Sequence, residues 1–241
     1  MRIVKLMAEK AAGLHTAKIP TIAFLGDSVT QGCFECFRKN NGGIETVFDK
    51  NHAYHRYVDR IFSILYPNVP LNIINAGISG DSTAGGLERL ERDVLCHHPD
   101  LTVVCFGLND CGNGFEGIEM YKQRLQEIFI KLLDSGSEVI FMTANMMNTS
   151  VSCHLEGDYF RDFAKKFMAR QEEGILKAYF EGGKEVAAAC GVKICDVHSK
   201  WEKLCENGVD VTELLANKLN HPTREMNWMF AYELVNTMMN D

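Results

Sequence analysis

The chain reads as a three-layer α/β/α sandwich built on a five-stranded parallel sheet. Three observations predict it. Five short runs are continuously apolar rather than alternating, as strands covered on both faces are. Segments of helical period separate them, the alternation expected of a doubly wound sheet. No Pro/Ser-rich linker, composition shift or internal repeat divides the 241 residues, so one domain over 1–241 is expected.

The strands are expected at "TIAFLG" 21–26, "LNIINA" 71–76, "LTVVCFG" 101–107, "EVIFMT" 138–143 and "VKICD" 192–196. After the first, "YHRYVDRIFSILYP" places Tyr54, Tyr57, Val58, Ile61, Ile64 and Leu65 on one stripe with basic residues opposite. "GLERLERDVLCHHP" and "YKQRLQEIFIKLLDSG" keep the same period, the second ending at Gly136 as a C-cap. A longer helical region spans about Tyr159 to Cys190, with a break near Gly182-Gly183. "TREMNWMFAYELVNTMMN" closes the chain as an amphipathic helix.

A net charge of −7 without any block of like charges argues against nucleic acid or an anionic membrane as partner. It leaves small neutral substrates open. The nine cysteines are an odd, scattered set. Cys33 and Cys36 have no second pair to complete a zinc site and read as structural. No His/Cys/carboxylate cluster has metal-ligand spacing. A chain this rich in unpaired thiols points to the cytoplasm. The first twenty residues lack an apolar stretch of signal type, and no run approaches a membrane span, so a soluble protein is expected. Oligomeric state is not legible.

Ligands of open α/β sheets bind at the carboxyl ends of the strands, and the chemically useful residues follow the strand runs. Gly26-Asp27-Ser28 follows the first, "NAGISGDST" (75–83) the second and "GLNDC" (107–111) the third. "LNHPT" (219–223) precedes the last helix. Acyl transfer needs these parts. A serine hydroxyl becomes nucleophilic when an imidazole takes its proton, which assigns Ser28 as nucleophile and His221 as base and later acid. The oxyanion needs donors, each worth roughly 3–4 kcal/mol. The N–H of Ser28, the N–H of Gly80 and the Asn109 amide are the candidates. Taken singly, each has an ordinary reading: Ser28 as helix N-cap, Ser79-Gly80-Asp81 as loop, Asn109-Asp110 as turn, His221-Pro222 as helix entry. All four in this order outweigh those readings.

These blocks resemble those of the SGNH (GDSL) hydrolase superfamily: "FLGDSVTQG", "NAGISGDSTAGGLERL", "FGLNDC" and "NHP". The resemblance runs from about residue 20 to the end. It implies a flavodoxin-like sandwich and ester hydrolysis through a serine, without metal or organic cofactor. The family's Ser, Gly, Asn and His fall on Ser28, Gly80, Asn109 and His221, and Asp27 would prop the turn rather than react.

One departure stands out. The family carries an acid three residues before the histidine, and this chain has Lys218 there. Lysine accepts no hydrogen bond, and loss of the acid in a comparable triad costs on the order of 10⁴ in turnover. The expected substitute is a backbone carbonyl near Lys218 or Leu219. The alternatives are a carboxylate such as Asp210, Glu213 or Glu225, or an unaided Ser28–His221 dyad. Asp196 and His198, in "CDVHSKW", are read as a structural aspartate and a surface histidine. His97-His98 lies at the wrong end of a strand. Met146 and Met147, in a long loop after the fourth strand, are candidates for a pocket lining or for core. The segment 32–51 is expected to wall the site.

The function expected is a serine esterase for small or short-chain acyl esters, O-acetyl groups on carbohydrate among them. A lysophospholipase or thioesterase of the same fold is the enzymatic alternative. A binding module that has lost the triad acid is the non-catalytic one. A nucleotide-binding domain lacks its glycine fingerprint and Walker lysine.

Overall fold

The structure is a computed structural model and describes residues 1–240. The chain opens with α1 (Arg2–Ala12), β1 (Thr21–Gly26) and the single turn α2 (Ser28–Gln31). A hairpin of β2 (Cys33–Arg38) and β3 (Ile44–Phe48) follows, then α3 (Tyr54–Leu65) and β4 (Asn72–Gly77). Next come α4 (Thr83–Glu88), α5 (Leu90–Asp93), β5 (Leu101–Cys105), α6 (Ile118–Asp134) and β6 (Glu138–Thr143). The last part holds α7 (Gly157–Glu172), α8 (Ile175–Ala189), β7 (Lys193–Asp196), α9 (Val197–Glu206) and α10 (Asn227–Met239).

Five strands form a parallel sheet in the order β4-β1-β5-β6-β7. These are the five apolar runs, shifted by at most two residues at their ends. β1 lies between β4 and β5, with Ile22 beside Ile73 on one side and Leu101 on the other. From β1 the chain adds β4 on one flank and then β5 on the other, so the switch point lies between β1 and β5. Helices α3 and α10 pack together on one face, with α1 against α10, while α4, α6 and α8 cover the other. Ile22, Phe24, Leu25, Val103, Val104, Ile140 and Phe141 are fully buried between the layers, which is why these strands are apolar on both faces.

Some elements differ from the sequence reading. The N-terminus forms α1, with Ile3, Met7 and Lys10 buried at helical spacing. Lys10 Nζ donates to the carbonyls of Leu14 and Ala17, so its charge is solvated by backbone. The helix expected over 86–99 breaks into α4, α5 and a 3-10 turn, Leu95–His97, and His98 before Pro99 is left-handed at φ 47°. Proline disfavours a helical residue before it. The long C-terminal helical region breaks at Gly174, which adopts φ 76°, and α8 runs straight through Gly182-Gly183. Those glycines serve packing: a Cβ on Gly183 would strike the Phe141 ring of β6. The hairpin was not read from the sequence. It forms a separate two-stranded sheet with a bulge between Cys33 and Cys36, and Phe37, Ile44 and Phe48 stand exposed on it.

The two α8 glycines give a paired test. Gly183→Ala should lower the thermal midpoint by the equivalent of about 1–3 kcal/mol, because Phe141 cannot move out of the packed layer. Gly182→Ala meets only the flexible Lys122 stem and Ile118 and should stabilise by about 0.5–1 kcal/mol through helix propensity. Thermal melts of the two variants check both signs.

Candidate active site

Strand β1 ends at Gly26, and Asp27 caps α2 by accepting from the Val29 N–H at 3.0 Å. Ser28 is therefore the first residue of a tight turn at the carboxyl edge of the sheet, 4% exposed. Burial pushes the Asp27 carboxyl up to about 7, and Asp110 and Asp81 nearby add to that. Its geometry is that of a prop: it binds the turn and makes no hydrogen bond to His221.

His221 Nε2 lies 2.9 Å from Ser28 Oγ. Its Nδ1 lies 2.9 Å from the carbonyl oxygen of Phe34, in β2. A carbonyl only accepts, so Nδ1 carries the proton and Nε2 presents a lone pair to the Ser28 hydroxyl. That tautomer is the one a general base requires. The orienting group is thus a backbone carbonyl, the kind of group anticipated, but it comes from Phe34 and not from the neighbourhood of Lys218 or Leu219. No carboxylate takes the place of the acid among the described residues. Glu213 instead pairs with Lys218, whose Nζ reaches its carboxylate at 2.8 Å.

The loop before His221 is wound on one atom. Asn217 Oδ1 accepts from the backbone N–H groups of Leu219, Asn220 and His221 at 2.9–3.0 Å. Lys218 sits in that winding at φ 56°, a left-handed conformation that turns its side chain toward Glu213. The following strand-like segment is pinned by Ala216 N–H to the His221 carbonyl and Thr223 N–H to the Leu214 carbonyl. Asn217 was missed in the sequence, although Asn chemistry at a turn was visible in "NKLNHP".

The donors gather on the other side of Ser28. Gly80 has φ 79°, a conformation glycine adopts without strain, and no acceptor among the described residues takes its N–H or that of Ser28. Asn109 Nδ2 donates to the Asp81 carbonyl at 2.8 Å, which leaves its second N–H available. Asp110 accepts from the Thr83 N–H at 3.0 Å, so Asn109 and Asp110 together tie the Gly80 loop to the end of β5. Arg89, another residue the sequence did not single out, fastens the same loop. Its buried guanidinium donates to Asp81 and to the carbonyls of Ala76, next to last in β4, and Gly26, the last of β1.

Ser28, Gly80, Asn109 and His221 line one cavity of about 310 Å³. Its far wall is Cys36, Ile44 and Thr46 of the hairpin, Leu219, and Phe160, Phe163 and Phe167 of α7. The hairpin occupies the segment expected to wall the site. Met146 and Met147 are buried in the core and do not line it. Asp196 caps α9 through the Ser199 N–H and also accepts from Thr143 and Lys184. His198 corrects the sequence reading: it is 3% exposed, packed on the Phe180 ring at 4.8 Å, because α9 turns it inward against α8. All nine cysteines are free. Among the described residues no cluster of His, Cys, Asp and Glu is placed to hold a metal ion, and no helix is long and apolar enough to cross a membrane.

Fold and site together define a doubly wound α/β protein with a serine–imidazole pair at its switch point. A model of the GDSL-like lipase/acylhydrolase family matches residues 24–229, and the chain belongs to that family. An acetylxylan esterase of Geobacillus stearothermophilus is 30% identical over 131 residues, 51% of this chain and 58% of that protein. An arylesterase of Vibrio mimicus is 27% identical over 135 residues, 54% of this chain and 66% of that one. The chain thus spans less than two thirds of either relative. Among solved structures, a Geobacillus stearothermophilus acetylxylan esterase superposes with a TM-score of 0.63 at 18% identity, covering 92% of this chain and 95% of that one. The Enterococcus faecalis lipase/acylhydrolase gives 0.65 at 19%, covering 91% and 95%. At such identities the structures establish a shared fold.

Burial holds the His221 imidazole below the ordinary 6.5, outweighing the Phe34 carbonyl and the Glu35 charge, which favour the cation. The neutral form is the stable one, so protonation requires a lower pH than for a free histidine. An NMR titration should show the His221 ring still neutral at a pH where exposed histidines are half protonated.

Proposed function

We propose that the chain is a serine esterase, a single hydrolase domain over 1–241 that acts on small or short-chain acyl esters. The observation that carries this reading is the 2.9 Å contact between His221 Nε2 and Ser28 Oγ, with Nδ1 held by a carbonyl. Ser28 Oγ attacks the ester carbonyl carbon while its proton passes to His221 Nε2. The oxyanion accepts from Ser28 N–H, Gly80 N–H and the free N–H of Asn109. His221 then returns the proton to the leaving alcohol, giving an acyl-Ser28 intermediate. Water, deprotonated by the same nitrogen, releases the acid and restores Ser28.

A cavity of about 310 Å³ stands at the small end of ligand sites, which supports short acyl chains over a lysophospholipid. Its lining of Ile44, Leu219 and three phenylalanines supports an apolar body on one side of the ester, as in an aryl ester. Acetylated carbohydrate is the other substrate class, by analogy with the acetylxylan esterase relative. Nine free cysteines, with Cys96 and Cys153 exposed, support a reducing compartment such as the cytoplasm.

A fluorophosphonate probe should label the wild type and leave Ser28→Ala unlabelled; a wild type that stays unlabelled would instead mark a binding module. Asn109→Ala should lower kcat by about 10²–10³. His221→Ala should abolish turnover, whereas His198→Ala should leave kcat close to wild type; the reverse pattern would reassign the base. Across p-nitrophenyl esters, kcat/KM should fall more than about tenfold from butyrate to decanoate. Acetate release from acetylated xylo-oligosaccharides, measured in parallel, decides between carbohydrate and aryl alcohols.

A further inference from the structure

The carbonyl that orients His221 belongs to a hairpin whose first residues, Cys33 and Phe34, are buried while the rest has little support of its own. A lone two-stranded hairpin is marginal in water, and β2 and β3 pair with each other and with no strand of the main sheet. Phe37, Ile44 and Phe48 on them are about half exposed. A general base works only if its orienter stays within hydrogen-bond reach, so some other contact must fix the Phe34 peptide.

Arg224 makes that contact. Its two terminal nitrogens donate to the two oxygens of Glu35, at 2.7 and 3.1 Å, the bidentate geometry that constrains both partners most. Its Nε donates to Asp49 at 3.0 Å, just beyond β3, and Asp49 also meets His52 Nδ1 at 2.7 Å. The guanidinium plane lies 4.3 Å over the Phe34 ring. One side chain thus holds both legs of the hairpin at its base, where the Asp49 N–H also donates to the Gly32 carbonyl.

The pairing has a register. His221 and Arg224 stand three apart on one segment, and they meet Phe34 and Glu35, adjacent on the other: imidazole to carbonyl, guanidinium to carboxylate. We infer that Arg224, through Glu35 and Asp49, is the positioning residue that sets the Phe34 carbonyl on His221 Nδ1, in place of the triad acid that Lys218 displaces. The carboxylate is retained one peptide away from the ring, where it acts on the backbone. This inference rests on the assignment of Ser28 and His221 above.

The test compares Arg224→Ala, Arg224→Lys and Glu35→Gln with wild type, following kcat and KM on p-nitrophenyl acetate, the fluorophosphonate labelling rate and the downfield NMR resonance of the His221 Nδ1 proton. A displaced carbonyl is expected to cost about 10²-fold in kcat, the scale of a misplacement near 1 Å, with KM within about twofold of wild type. The Nδ1 resonance should move or broaden in Arg224→Ala and Glu35→Gln. Arg224→Lys, which keeps the charge and loses the fork, should recover only part of the rate. Thermal melts identify any variant that fails to fold, and the half-exposed Glu35→Gln then carries the measurement. Variants that keep wild-type kcat, labelling rate and Nδ1 resonance would overturn the proposal, even with Ser28 labelled in each. A wild type that is never labelled would overturn the underlying assignment instead.

Discussion

The hydrogen bond from His221 Nδ1 to the Phe34 carbonyl governs the chemistry available to this site. It selects the tautomer in which Nε2 faces Ser28, and it does so with a neutral acceptor. A carboxylate in that position would stabilise the imidazolium by charge as well as by direction. A carbonyl supplies the direction and only a dipole. With the ring buried and Glu35, whose charge would favour the cation, engaged by Arg224, the balance is tilted toward the neutral imidazole. A neutral ring of this kind presents its Nε2 lone pair to Ser28, and its protonated form would find only a dipole at Nδ1.

The opposite side of the site is built from the sheet itself. Gly26 and Ala76 lie among the last residues of neighbouring strands, at the end of β1 and one residue before the end of β4, and their carbonyls meet Arg89. Asp81 joins the same guanidinium and also receives the Asn109 amide. The loop around Ser28 is therefore tied to the rigid strand ends, whereas the carbonyl on His221 Nδ1 belongs to an appended hairpin. The two halves of the site have different mechanical foundations, one inside the main core and one outside it.

The five sheet strands were legible because burial on both faces leaves no room for polar residues, and Ser28, Gly80, Asn109 and His221 could be nominated because each follows a strand or precedes the last helix. The hairpin was not legible. In "CFECFR" and "IETVF" the pattern is blurred by a bulge and by apolar residues that stand exposed. Helix α1 carries the spacing of Ile3, Met7 and Lys10, but the buried lysine masks the apolar stripe. The chemistry of Lys218 showed that no acid stands before His221, and it left a nearby carbonyl, a distant carboxylate or an unaided pair as substitutes. The Phe34 carbonyl could not be picked out, because Phe34 and His221 are 187 residues apart and meet only through an element the pattern hid. His198 misled in the opposite way: a polar residue beside a strand end looks solvent-facing until the helix carrying it is placed.

The hairpin has two duties at once. Cys36, Ile44 and Thr46 shape the cavity, and Phe34, two residues from Cys36, aims the imidazole. One piece of backbone thus carries both the cavity wall and the hydrogen bond on the imidazole. A change of the hairpin that widens the cavity therefore acts at once on the segment that holds the imidazole. The α7 phenylalanines, which pack in one small cluster with Leu219 and Cys36, form the wall of the cavity that carries no hydrogen bond to the imidazole.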